Sequence, residues 1–322
     1  MTAHQNPKRR HHHVWQHFLK SWTTNGAIWC LQNGRTFATG TPAIAVEKDF
    51  YKLQKLIPED ITFIKTLFDS GHPLSKRNHA DLLNKLMLPF QIAEQVKDPQ
   101  RRAKMEQYLD DYASNVLEDY HAGVEALFIP SLDSALNADL GFYTEDERCI
   151  PFLYYLCTQY MRTKGIKERA IELCNTDKSA DLSRVWNVLI PMFASNIGAS
   201  LFLERRQRKL ILVNNRTDVP FITGDQPAIN LKGTRPHLPD KLSIYYPISP
   251  KLALLLADVD EEPPFPVEGL TANEASTLNG MVFKASVPNL NFAILQIHAA
   301  MSGFCGHGVD HGGATIGDFG TQ

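Results

Sequence analysis

The chain lacks the short motifs that would name an activity outright. It has no Gly-x-Gly-x-x-Gly, no Gly-x-x-x-x-Gly-Lys-Ser/Thr, no Gly-x-Ser-x-Gly and no His-Glu-x-x-His. Dinucleotide, P-loop nucleotide, hydrolase-elbow and zincin chemistry all lose support. Cysteine is scarce: five residues (Cys30, Cys149, Cys157, Cys174, Cys305), an odd number, widely spaced and without a Cys-x-x-Cys. Such usage reads as free thiols in a reducing compartment. Excess charge of either sign is missing as well, with a net charge of −2 and a pI near 6.6. A globally basic nucleic-acid binder is disfavoured, although a local basic patch is not. No apolar run reaches the roughly 18 residues that span a bilayer. The polar, basic N-terminus has no apolar signal core, and the expectation is a cytosolic protein with no membrane partner.

No Pro/Gly/Ser-rich or charged linker and no repeat interrupts the 322 residues. The expected organisation is a flexible lead-in over 1–11, one domain over 12–301 and a glycine-rich tail over 302–322. The His11–His13 run continues directly into an aromatic segment, so it is read as part of the protein.

Residues 13–22 suggest a short helix or turn. Residues 27–31 and 35–38 suggest strands about Asn33-Gly34, a strong hairpin signal. Helices are expected from Pro58, over 79–97 and over 99–129. In the last of these Met105, Leu109, Tyr112, Val116, Tyr120, Val124 and Leu127 step by three or four, and Pro130 is expected to end it. Further helices are expected from Pro151 to 165, over 166–174 and over 180–207. Strands are expected at 210–213, 221–223, 243–246 and 252–256. Thr271 and Glu274 form a capping-box pair opening a helix to about Ala285. The fold class is α+β: a mainly helical single domain with an N-terminal β-hairpin and a small C-terminal antiparallel sheet.

Several short blocks carry a resemblance. His12-His13-Val14-Trp15-Gln16-His17-Phe18-Leu19-Lys20-Ser21-Trp22 is similar to a His-Tyr-Val-Pro-Gln-x-Tyr-Leu-Arg-x-Phe opening. The hairpin, Lys48-Asp49-Phe50-Tyr51, Gln159-Tyr160-Met161-Arg162-Thr163, Phe221-Ile222-Thr223-Gly224-Asp225-Gln226-Pro227 and Tyr246-Pro247-Ile248-Ser249-Pro250 follow in order. Together they resemble a bacterial family catalogued as a domain of unknown function, number 4238. Glu125 and Asn279 stand where that family tends to carry a glutamate and a helical asparagine. Trp15, Lys164 and Gln226 depart from its usual Pro, Pro and Asn. The resemblance implies a role in bacterial defence or toxicity, with partner proteins in a multi-gene system.

The polar set is His12, Glu125, Gln159, Arg162 and Asp225. It joins a neutral-pH base, two carboxylates and a fixed cation, a mixture suited to phosphodiester hydrolysis. In that reading His12 moves a proton and Gln159 and Arg162 hold phosphate. Glu125 and Asp225 carry protons or bind Mg²⁺ or Mn²⁺. Arg205, Arg206 and Asn279 are further candidates for substrate contact, and nucleic acid is the implied partner. The contrary reading is a buried network in which Arg162 pairs with Glu125 or Asp225 to brace helices. A ligand-sensing or protein-interaction module without chemistry is the remaining alternative. Asp225, in Gly-Asp-x-Pro after a strand, fits a site at a strand end or an ordinary turn. Glu118, His121 and Glu125 share a helix face; without a second Glu-x-x-His they read as a polar stripe beside the core. Cys305, His307, Asp310 and His311 could ligate zinc but fit no standard spacing. Arg205-Arg206-Gln207-Arg208-Lys209 reads as a solvated helix end or a phosphate-contacting patch.

Overall fold

The computed structural model describes residues 7–174, 181–233, 241–286 and 293–295. Ten strands are assigned among them: β1 (Arg10–His12), β2 (Ile28–Gln32), β3 (Arg35–Thr39), β4 (Val46–Lys48), β5 (Arg208–Asn214), β6 (Thr223–Gly224), β7 (Ile229–Asn230), β8 (Ser243–Pro247), β9 (Leu252–Asp258) and β10 (Ala293–Leu295). The helices are α1 (Gln16–Leu19), α2 (Pro58–Leu67), α3 (Pro73–Glu94), α4 (Pro99–Leu136), α5 (Asp146–Met161), α6 (Lys164–Cys174), α7 (Leu182–Leu203) and α8 (Ala272–Ala285). The expected glycine-rich tail and its Cys305–His311 cluster lie outside the described residues.

The α+β expectation holds. Asn33 and Gly34 turn the hairpin with positive φ angles of 51° and 72°, the geometry that Asn-Gly supplies most readily. The hairpin is not a free-standing ribbon. β2 also pairs with β10, which pairs with β6, giving the sheet order β3-β2-β10-β6. A second antiparallel sheet has the order β5-β9-β8-β7. β8 is buried along its whole length and β9 over all but its ends, which explains the run Leu252-Ala253-Leu254-Leu255-Leu256. Leu254, Leu256, Ile244 and Tyr246 face the helical core with Phe152 and Leu201. Leu255, Ala253 and Tyr245 face α8 through Ala275, Leu278 and Val282. A sheet covered on both faces reads as an unbroken apolar stretch. Helices α2, α3, α4 and α7 build a second core with Phe50 and Tyr51, to which α7 gives Trp186 and Leu189.

Two prolines behave differently from expectation. Pro130 does not end α4, which runs 38 residues to Leu136. A proline there deprives the Ala126 carbonyl of its helical donor, but Ala126 and Pro130 are both exposed, so water can serve that carbonyl. Burial of Phe128, Leu132 and Ala135 carries the helix on. Pro151 does not open α5, which starts five residues earlier at Asp146. α3 likewise starts at Pro73, because the His72 Nδ1 accepts the Leu74 N–H at 3.2 Å. The Thr271–Glu274 capping box is formed as expected.

β1 begins at Arg10, inside the expected lead-in, and pairs with β4 so that His12 lies opposite Val46. The Lys8 N–H donates to Asn115 Oδ1 at 2.6 Å, and Arg9 pairs with Asp110 of α4. These contacts lay the N-terminal segment against α4. Helix α7 is long and apolar enough, by length and composition, to cross a membrane. It differs in this from the expectation read from apolar runs, since Arg184, Ser and Asn residues interrupt its run. Val185–Met192 of α7 is buried throughout within the protein.

Candidate functional site: a cleft between the histidine segment and the long helix

The C-terminus of α5 is a joint on which separate sequence blocks converge. Arg162 caps the helix, where a cation complements the helix dipole. The orphan carbonyls there find donors from distant parts of the chain. The Tyr51 hydroxyl donates to the Arg162 carbonyl at 3.2 Å. The Gln226 amide donates to the Tyr160 carbonyl at 3.4 Å and to the Ala228 carbonyl at 2.9 Å. Gln226 also accepts from the Thr163 hydroxyl. Gln159 donates to the His13 carbonyl at 3.1 Å and accepts from Arg162 Nη2 at 2.8 Å. Arg162 Nη2 lies 2.6 Å from Glu125 Oε1, with the arginine side chain 2% exposed and the glutamate 16%.

Beside this joint a cleft of about 240 Å³ opens between two walls. His12, Trp15, Gln16, His17 and Lys20 form one wall; Glu118, His121 and Glu125 of α4 form the other. The residues step along α4 by three and four, which places them on one face. Trp15 is fixed by edge contact with Tyr155, and His17 stacks on it with centroids 5.0 Å apart. Lys20 is exposed, with Nζ 3.5 Å from His17 Nδ1.

Burial controls the protonation of this cleft, because a low dielectric disfavours whichever form is charged. It lowers the His12 pKa; the Pro42 carbonyl beside the ring works against that shift, while the charges of His13, Arg10 and Arg162 add to it. It lowers the His121 pKa further, aided by Arg162 and His11. It pushes the Glu118 carboxyl up to about 7, against the attraction of Arg162 and with the repulsion of Glu125. Glu125 is also raised by burial, with Arg162 opposing. For Arg162 burial acts against the charge, but Glu125 and the neighbouring tyrosines outweigh it, and the pKa is raised. At neutral pH, His12 is therefore a free base and Glu118 retains a substantial protonated fraction. His12 Nε2, both ring nitrogens of His121 and Arg162 Nε are buried without a protein partner. Such atoms are rare in folded proteins; those of His12 and His121 belong to residues that line this cleft, and others lie elsewhere in the core.

The expected polar set is thus partly assembled. His12 and Glu125 line the cleft, and Arg162 and Gln159 lie directly behind Glu125. Asp225 follows β6 on the other side of the histidine segment, buried, with Oδ1 3.8 Å from His13 Nε2. It is not among the cleft residues. Glu125 and Asp225 therefore face different partners, and among the described residues no group of three or more His, Cys, Asp or Glu is placed to hold a metal ion. Asn279 on α8 accepts the Ile222 N–H at 3.0 Å and donates to the Pro220 carbonyl at 2.8 Å, bracing the chain that leads to Asp225. Arg205 pairs with Asp146 and lies over the Phe202 ring at 4.2 Å. Arg206 is exposed in the turn Arg205–Gln207. Neither arginine lines the cleft.

Glu118 and His121 are the cleft residues that the sequence reading set aside. Their spacing with Glu125 was the available signal; which side of α4 faces a cleft depends on where the histidine segment docks.

The fold and this cleft define an α+β protein whose N-terminal histidine segment closes against one long helix. The chain belongs to the family described as Protein of unknown function (DUF4238), whose model matches residues 10–293. No curated protein and no solved structure matches it.

Proposed function

We propose that the protein is a hydrolase of the phosphodiesterase type, nuclease-like, working by general acid–base catalysis in the cleft. The observation that carries this reading is that His12 of β1 and Glu118 of α4 line one cleft, the first offering a base and the second an acid. General catalysis needs such a pair poised near the working pH. His12 takes a proton from the nucleophile and Glu118 gives one to the leaving oxygen. Glu125, held by buried Arg162, sets the field of the cleft, and Lys20 at the rim meets phosphate. Gln159 and Arg162 act from behind by positioning Glu125. The buried thiols of Cys30, Cys149 and Cys157 favour a reducing compartment, so we place the activity in the cytoplasm, in a defence or toxin role.

The test is cleavage of bis(p-nitrophenyl) phosphate, tRNA and plasmid DNA by the full chain, with Mg²⁺, Mn²⁺ or EDTA. Turnover that persists in EDTA is expected. Turnover only with added metal would replace acid–base catalysis by a cation-assisted mechanism, and inert substrates in every condition would remove the phosphodiesterase reading. A binding module without chemistry is favoured by one observation, the mutual pairing of Arg162, Glu125 and Gln159; it predicts ligand retention with no product.

A further inference from the structure

The cleft holds groups for moving protons, but the two carboxylates of the expected polar set that could hold an activating cation are engaged. Glu125 is bound by Arg162, and Asp225 faces His13 away from the cleft. Such a site suits a substrate that brings its own nucleophile. At about 240 Å³ the cleft is also smaller than the roughly 300–1,000 Å³ usual for enclosed small-molecule sites. It fits one unit of a longer chain laid across an open groove.

Resting on the phosphodiesterase reading, we propose that the substrate is RNA and that the ribose 2′-hydroxyl is the nucleophile. His12 takes the 2′-hydroxyl proton as the bond from 2′-oxygen to phosphorus forms. The bond from phosphorus to the 5′-oxygen breaks, and that oxygen takes the proton held by Glu118. No water is consumed and nothing is oxidised. The products are a 2′,3′-cyclic phosphate and a 5′-hydroxyl. Lys20, exposed at the rim, is the cation positioned to meet the phosphate, a contact suited to its compact charge. The 2′-hydroxyl is also the group by which proteins tell RNA from DNA.

The experiment uses the full chain in EDTA with four probes: a single-stranded RNA, the same sequence as DNA, the same sequence with every 2′-oxygen methylated, and bis(p-nitrophenyl) phosphate. The expected result is cleavage of the RNA alone among the three oligonucleotides, at least 100-fold faster than the other two, with 2′,3′-cyclic phosphate and 5′-hydroxyl ends. Cleavage of the DNA or the methylated RNA, fragments bearing 5′-phosphate, or turnover of bis(p-nitrophenyl) phosphate with intact RNA would each overturn this inference while leaving the phosphodiesterase reading. Four inert probes, in EDTA and again with Mg²⁺ or Mn²⁺, would overturn both.

Discussion

His12 and Glu118 are set in complementary protonation states by a single cause. Burial penalises charge, so at neutral pH the imidazole gives up its proton and the carboxylic acid keeps a substantial protonated fraction. The rate should follow a narrow bell in pH. Its acid limb lies below 6.5, where His12 becomes protonated, and its alkaline limb lies at about 7, where Glu118 ionises. Glu118→Gln should lower kcat/KM by roughly 10²–10⁴-fold, as for a lost general acid, and should abolish the alkaline limb. A pH series on the variant checks this, and an unchanged alkaline limb would remove Glu118 from the mechanism. The same shifts act on stability with opposite signs. Glu118 binds more proton folded than unfolded between about 4.5 and 7, so its contribution is lost as pH rises through that window. The histidines contribute above about 6.5 and lose that contribution as pH falls. Urea unfolding at pH 5, 6.5 and 8 should therefore show Glu118→Gln gaining on the parent as pH rises. Arg162 is expected to act on stability more than on chemistry. Arg162→Met leaves Gln159 Oε1 and Glu125 without their partner at a buried site, and should cost about 3 kcal/mol, the lower end for a broken buried pair because Glu125 is partly exposed. A loss under about 1 kcal/mol in urea unfolding would contradict the joint described here.

At the scale of elements, the long helix and the histidine segment matter most, and they were unequally legible. Local chemistry announces the Asn33-Gly34 hairpin and the Thr271–Glu274 cap, and both form where expected. Pro130, expected to end a helix, and Pro151, expected to open one, both mislead because a proline bounds a helix only when packing does not outweigh the lost hydrogen bond. Phe128, Leu132, Phe152 and Leu153 supply that packing. The pairing of β10 with β2 and β6 was invisible, since it joins residues more than 60 positions apart in sequence. The same limit hid the role of Asn279. As a helical asparagine it could have met substrate, yet its amide holds Pro220 and Ile222. Asn279→Ala should cost about 1–3 kcal/mol, the range for leaving buried backbone groups unpaired. KM for any substrate should remain within about twofold. Thermal unfolding and steady-state kinetics separate the two effects, and a raised KM at unchanged stability would return Asn279 to the binding surface.

For the whole molecule, the resemblance blocks turn out to be parts of one construction. The histidine opening, the Phe50-Tyr51 close, the Gln159–Thr163 block and the Gly224–Pro227 turn all meet at the end of α5. Much of the polar set named from sequence thus holds the fold, and the cleft is the edge of that joint lined by His12, Glu118, His121 and Glu125. The residue types were legible in the sequence, but the division between brace and site was not. That division depends on which side of the histidine segment each group approaches. We propose that this cleft, and not the Asp225 side, carries phosphodiester chemistry. The most direct measurement is the rate of RNA cleavage by the parent chain, His12→Ala and Asp225→Asn, each shown to be folded by circular dichroism. Measurable cleavage by the parent is expected, with a loss of roughly 10²–10⁴-fold in His12→Ala and a change of less than about tenfold in Asp225→Asn. Equal rates in the parent and His12→Ala, or no cleavage by the parent, would contradict it.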